Sequence, residues 1–130
     1  MTMLTIPWPP SVNRYYRHIA TGKGPRVLIS REGRAYRGAV QSAALNAGAV
    51  KHFEGRLHVV IKAYPPDRRR RDLDNVLKAS LDALQHAGVY VDDEQIDILE
   101  VRRMRAGAPG SAGTLTVIVT ELRRQQEDDS

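Results

Sequence analysis

The chain contains no cysteine. Disulfides are therefore excluded, and so is any metal site built on thiolates. Nowhere does an apolar run approach the roughly 18 residues that a membrane span requires. The opening stretch, Met1-Thr2-Met3-Leu4-Thr5-Ile6-Pro7, lacks the basic start and apolar stretch of a secretory signal. The expectation is a cytoplasmic protein with no membrane segment. Internal repeats and dividing linkers are missing as well. The four histidines, His18, His52, His58 and His86, show no zinc-ligand spacing.

What is present fits one domain, since 130 residues fall inside the usual single-domain range of about 100–150. The expected division is a folded domain over 1–122 and a polar, acidic tail over 123–130. A net charge of +5 and a pI near 9.9 favour a polyanionic partner, because basic surface displaces counterions from nucleic acid on binding. The positive charge is clustered. Arg14, Arg17, Lys23 and Arg26 lie early, Arg68 to Arg71 are consecutive, and Arg102, Arg103 and Arg105 come late.

Pattern reading gives an α/β (α+β) fold, a mixed sheet covered by two main helices. Leu4 to Ile6 reads as a strand stopped by Pro7, Pro9 and Pro10, since proline cannot donate to a ladder. Ser11 to Pro25 has turn chemistry and reads as a loop, with a short strand over Val27 to Ile29. Ser30 is the expected N-cap of a helix ending near Gly48, with an apolar face of Tyr36, Val40, Ala43, Ala44 and Ala47. Arg56 to Tyr64 alternates as a strand. A second helix is expected from Asp74 or Asn75 to Ala87, with Leu73, Val76, Leu77, Leu81 and Leu84 inward and Asn75, Lys78, Asp82 and Gln85 outward. Val89 to Val91 reads as a short strand. Ile98–Arg105 and Thr114–Leu122 read as a hairpin across the 107–113 loop.

The segment Asp67-Arg68-Arg69-Arg70-Arg71-Asp72-Leu73-Asp74-Asn75 carries the most chemistry. Residues two apart face the same way only on extended chain, so Asp72 and Asp74 can share a metal if the helix starts after them. Paired carboxylates repel until a cation joins them, and hard oxygen donors suit Mg²⁺ or Mn²⁺. Asp93, or its neighbour Asp92, could supply a third ligand. Lys78 could meet a phosphate beside the helix start, with the arginine run as a phosphate-binding surface. Such a set suits metal-assisted phosphodiester hydrolysis. The plainer alternative is that Asp72 and Asp74 cap a helix, Lys78 pairs with Asp74 and Asp82 at about 0.2–0.5 kcal/mol each, and Asp92-Asp93 is a turn. Tyr15 and Tyr16 could stack on bases or cover a core edge.

Three stretches together, P-W-P-P-S-V-N-R-Y-Y-R-H, P-P-D-R-R-R-R-D-L-D-N-V-L-K-A and D-A-L-Q-H-A-G-V-Y-V-D-D-E-Q-I, resemble the RusA-type Holliday-junction resolvases in order and spacing, from Ile6 to about Thr120. The resemblance implies a homodimeric, Mg²⁺-dependent endonuclease, with Mn²⁺ able to substitute, that nicks four-way junction DNA symmetrically in recombination and repair. Carried over position by position, it places the metal-binding catalytic carboxylates at Asp72, Asp74 and Asp93 and the catalytic lysine at Lys78. Asp92 and Asn75 stand by as supporting residues. DNA contacts are expected from Arg68, Arg69, Arg70, Arg71, Asn13, Arg14, Tyr15 and Arg17. Family members are often carried by prophages. Two other readings fit the residues: a non-catalytic DNA junction-binding module, and a metal-dependent hydrolase of small nucleotides.

Overall fold

A computed structural model describes residues 1–107 and 111–122; the tail expected at 123–130 lies outside the described residues. In chain order the elements are β1 (Thr2–Pro7), a one-turn helix α1 (Val12–Tyr15), β2 (Tyr16–Thr21), β3 (Gly24–Ile29), α2 (Arg31–Asn46) and β4 (Leu57–Tyr64). There follow a 3₁₀ turn over Leu73–Val76, α3 (Leu77–His86), a second 3₁₀ turn over Asp93–Gln95, β5 (Ile96–Arg103) and β6 (Thr114–Glu121). The main sheet has the order β1-β6-β4-β5, and β2 pairs with β3 as a separate ribbon. This is the mixed α+β domain that the patterning predicts. No helix among the described residues is long and apolar enough to cross a membrane.

Period-two alternation builds the core. Leu57, Val59, Ile61 and Ala63 of β4, Leu115, Val117 and Val119 of β6, and Leu4 and Ile6 of β1 are all buried. Register makes them one surface, with Val117 opposite both Leu4 and Ile61. Tyr36, Val40 and Ala44 of α2 and Ala79, Ala83 and Leu84 of α3 complete the same core cluster. β5 runs parallel to β4, so a crossover must join them, and α3 lies within that crossover. Both regions of interest flank α3: the arginine-rich stretch precedes it, and the Asp92-Asp93 turn follows.

The start of α2 is fixed by its own sequence. Ser30 Oγ accepts from the Gly33 amide at 2.9 Å and donates to the Arg14 carbonyl at 2.5 Å. Gly33 is required by contact rather than conformation, because a Cβ there would collide with the Tyr15 carbonyl oxygen and the Ile29 side chain. Gly33→Ala should therefore cost about 2 kcal/mol, a typical penalty for forcing an atom into filled space. Urea unfolding reads it directly; an unchanged midpoint would mean the Tyr15 segment yields freely.

Three expectations are corrected. Residues 11–25 are not a loop: they form α1, β2 and the start of β3. The ribbon's residues are mostly exposed or half-buried, so no apolar alternation marks it, and Gly24 at φ +106° closes its turn. β5 and β6 do not form a hairpin, because β4 lies between them. The alternating face of β6 is satisfied by β1 and β4, which leaves β5 as an edge strand open to solvent. Val89–Val91 is not a strand; only Tyr90 bridges, in parallel to Phe53. The inward stripe of α3 is as expected, with Val76 and Leu84 buried and Leu73, Leu77 and Leu81 packed against the core, and Ala79, Ser80 and Ala83 add to its buried face.

Candidate functional site

The loop after β4 is organised by Asp67. Its carboxylate accepts from the Arg69 amide at 2.8 Å and from Arg71 Nη1 at 2.7 Å. Those bonds, Arg71 first, hold the Asp67 carboxyl down at about 2. Arg71 is half-buried, with its guanidinium 5.8 Å from the Trp8 ring centroid and its carbonyl accepting from Arg103 Nη2 at 2.7 Å. Arg68, Arg69 and Arg70 are exposed. Asp67 thus folds the run so that one arginine is structural and three face water.

The extended chain ends at Asp72 (φ −84°, ψ 139°), whose carbonyl accepts from the Asn75 amide at 3.2 Å. Asp74 already belongs to the 3₁₀ turn, so the two carboxylates stand on the lip of a turn rather than on one side of a strand. Asp72 makes no side-chain capping bond. Both residues are exposed. Lys78, one turn into α3, is exposed with its ammonium 5.7 Å from the Tyr16 ring centroid. It does not pair with Asp82, which is engaged elsewhere. Arg37 Nη2 and Nε reach Asp82 Oδ2 at 2.8 and 3.1 Å, and the Tyr15 hydroxyl donates to the same oxygen.

Beyond α3, Asp92 caps the second 3₁₀ turn by accepting from the Glu94 amide at 2.9 Å. Gln95, nearly buried, clamps that turn. Its Oε1 accepts from the Val91 and Asp92 amides at 3.0 and 2.7 Å, and its Nε2 donates to the Phe53 and Gly55 carbonyls, both at 2.8 Å. The Asp93 amide donates to Gln85 Oε1 at 3.0 Å, which holds Asp93 against the last turn of α3. Packing around the Asp93 carboxyl pushes its pKa up, as do the neighbouring Asp92 and the charge of Asp82, while Lys78 pulls it down.

These residues line α3: Asp72 and Asp74 at its entrance, Lys78 and Asp82 along it, Asp92 and Asp93 past its exit. Asp93 still lies within electrostatic reach of Lys78, in the first turn of α3. Among the described residues, no three His, Asp or Glu side chains converge closely enough to hold a metal. The donor chemistry nevertheless fits a hard divalent cation: exposed carboxylates at Asp72 and Asp74, and a third, at Asp93, whose acidic neighbours disfavour its charge until a cation arrives.

The remaining expected contacts divide. Asn13, Arg14 and Arg17 are exposed on α1 and β2, with Arg14 3.6 Å from Glu32. Tyr15 corrects the expectation of a DNA contact. It is fully buried, edge-on to Tyr16 at 4.8 Å, and its hydroxyl is committed to Asp82, so no base can stack on it. Sequence reading gave no role to Trp8, Arg37 or Asp82 in the site. No motif links Tyr15, Arg37 and Asp82, which meet only because α1, α2 and α3 pack together.

Residues 7–113 match the family model described as endodeoxyribonuclease RusA. The crossover junction endodeoxyribonuclease RusA of Shigella sonnei is 43% identical over 119 residues, covering 92% of this chain and 93% of its own. Its counterpart from Escherichia coli K12 is 42% identical with the same coverage. The protein of that name from Enterobacteria phage 82 is 43% identical over 123 residues, again covering 92% and 93%. With a single folded unit, carboxylates at both ends of α3 and an exposed arginine run at its entrance, the match falls on the elements that carry the chemistry: the chain belongs to the RusA family of endodeoxyribonucleases.

Proposed function

We propose that this protein is a Mg²⁺-dependent, structure-selective endodeoxyribonuclease that resolves four-way junctions by paired symmetric nicks in DNA recombination and repair. It would act in the cytoplasm as a homodimer. The observation that carries the reading is the exposed pair Asp72 and Asp74 beside three solvent-facing arginines. The names of the relatives from Shigella sonnei, Escherichia coli and phage 82 support the choice of substrate.

Asp72, Asp74 and Asp93 would hold the ion, with Asp92 and Asn75 in support; Mn²⁺ offers the same hard-acid chemistry. The bound ion supplies Lewis acidity toward the phosphate and a lower pKa for water. The chain's own residues do the rest. Arg68, Arg69 and Arg70 draw the backbone in, and Asn13, Arg14 and Arg17 extend that basic surface along α1 and β2. Arg71 shapes the loop while keeping its charge beside Asp72. Lys78, unpaired with Asp82 and steadied on the Tyr16 ring, offers its ammonium to the charge that grows on the phosphate oxygens. A junction has approximate two-fold symmetry, so an isologous dimer would present one site to each of two opposed strands.

The test is incubation of the protein with a synthetic mobile four-way junction and Mg²⁺, followed by strand-by-strand mapping of products. Paired nicks at symmetry-related positions are expected, with none in EDTA. Binding without nicking in either Mg²⁺ or Mn²⁺ would favour a junction-binding module instead.

A further inference from the structure

Beside Asp72 lies a cleft of about 210 Å³ lined by Trp8, Pro9, Ser11, Arg71, Asn75 and Val76 as well as Asp72 itself. Its walls are pinned. The Trp8 amide donates to the Gly113 carbonyl at 3.3 Å, the Tyr36 hydroxyl donates to the Pro7 carbonyl at 2.7 Å, and Pro9 is buried. The indole and the Arg71 guanidinium stand 5.8 Å apart and form a flat, cationic flank. Val76, nearly buried, adds an apolar side chain to the lining. Asn75 and Ser11 also line this space, and Ser11, though at a helix N-cap position, makes no side-chain capping bond.

We infer that this cleft is a nucleobase subsite that takes one base of a strand whose phosphates the exposed Arg68, Arg69 and Arg70 hold beside Asp72. Three observations lead there. A planar aromatic beside a guanidinium is the surface on which single bases stack. A primary amide offers one donor and one acceptor edge, the pairing equipment that reads a base. The volume admits a single ring system and excludes a duplex. Position gives the fourth link. Asp72 lies on the rim just after the exposed arginines, so a strand whose phosphate those arginines hold carries its neighbouring base to the cleft mouth. Bases at a branch point are the cheapest to unstack, which favours their capture. Asn75 is then a specificity-determining residue, and Trp8 the platform.

The inference rests on the proposed nuclease reading, but its main test does not need cleavage. Trp8 is the single tryptophan of the chain, so its fluorescence reports on the cleft alone. A synthetic four-way junction titrated in EDTA should quench Trp8 emission by about half. The same junction with an abasic site beside the nick position mapped in Mg²⁺ should quench little and bind about tenfold more weakly, ~1.4 kcal/mol at 25 °C. Trp8→Phe should bind both junctions with the same ratio, whereas Trp8→Leu should bring the ratio close to one. Equal quenching by intact and abasic junctions would overturn the inference. In the cleavage arm, Asn75→Ala should compress the spread of nicking rates among junctions carrying each of the four bases at that position. An unchanged spread would overturn Asn75 as the reader. If the unaltered protein never nicks, the nuclease reading fails while the EDTA titration against arbitrary positions around the branch point still decides whether a base enters the cleft.

Discussion

Asp72→Asn should lower the nicking rate at least about a thousandfold while leaving junction binding as tight as before or tighter. The side chain keeps its size and gives up only its charge. Asp72 makes no capping bond, so nothing in the fold depends on that charge. Removing an anion beside the exposed Arg68, Arg69 and Arg70 also reduces repulsion of the phosphate backbone. The lost charge matters where a divalent ion must be held, since stabilisation supplied by such an ion is worth several kcal/mol. Single-turnover cleavage in saturating Mg²⁺ and a gel-shift titration in EDTA separate the two effects. Residual nicking within tenfold of the parent would remove Asp72 from the metal set. A matching loss of thermal stability would return it to the role of a structural cap.

The second large effect concerns stability. Asp82→Ala should cost about 2–3 kcal/mol and lower the melting temperature by roughly 8 °C. The carboxylate receives two bonds from Arg37 and one from Tyr15, and its removal strands a guanidinium and a phenol together. Tyr15 is fully buried, and burial and the bond to Asp82 both push its ionisation far above the ordinary phenol range, so the hydroxyl stays a donor with no acceptor left. The pair is about a quarter open to water, with side chains 23% and 30% exposed, which places the cost at the lower end for broken ion pairs. Tyr15→Phe, which removes the bond to Asp82 and the one accepted from Arg37 Nε but leaves the ion pair, should cost about 1–2 kcal/mol. A melting point for Asp82→Ala within 2 °C of the parent would show the network to be dispensable.

The contrast between these two aspartates shows what sequence can and cannot convey. Asp72 and Asp74 were legible because they sit two apart beside four arginines, a local pattern with local chemistry. Asp82 has a periodic position on α3 that points outward by the helical wheel, and its partners lie 45 and 67 residues away in sequence. No window holds all three. The same limit explains the sheet. β4 and β6 each announce themselves by alternation, and Ser30 announces α2 by its cap. Which strands are neighbours depends on long-range register, so the obvious partner for β6, the strand just before it, was the wrong one. The β2–β3 ribbon was hidden for the opposite reason: it buries little, and burial is what alternation records. Tyr15 and Tyr16 divide on the same ground. Adjacent and identical, one is inside and the other lies under the Lys78 ammonium, because the chain passes there from a helical turn into a strand.

The position of β6 also bears on how the molecule comes into being. This strand, late in the chain, lies between β1 and β4, and it pairs Val119 with Thr2 almost the full length of the described chain away. Contacts of that span carry the largest loop-closure entropy and slow the search for the native topology. A nascent chain still lacking Thr114–Glu121 would hold Leu4, Ile6 and Ile61 without their cover. Nuclease competence therefore cannot precede synthesis of β6, and premature termination inside that strand should yield an aggregating polypeptide rather than a weakened enzyme.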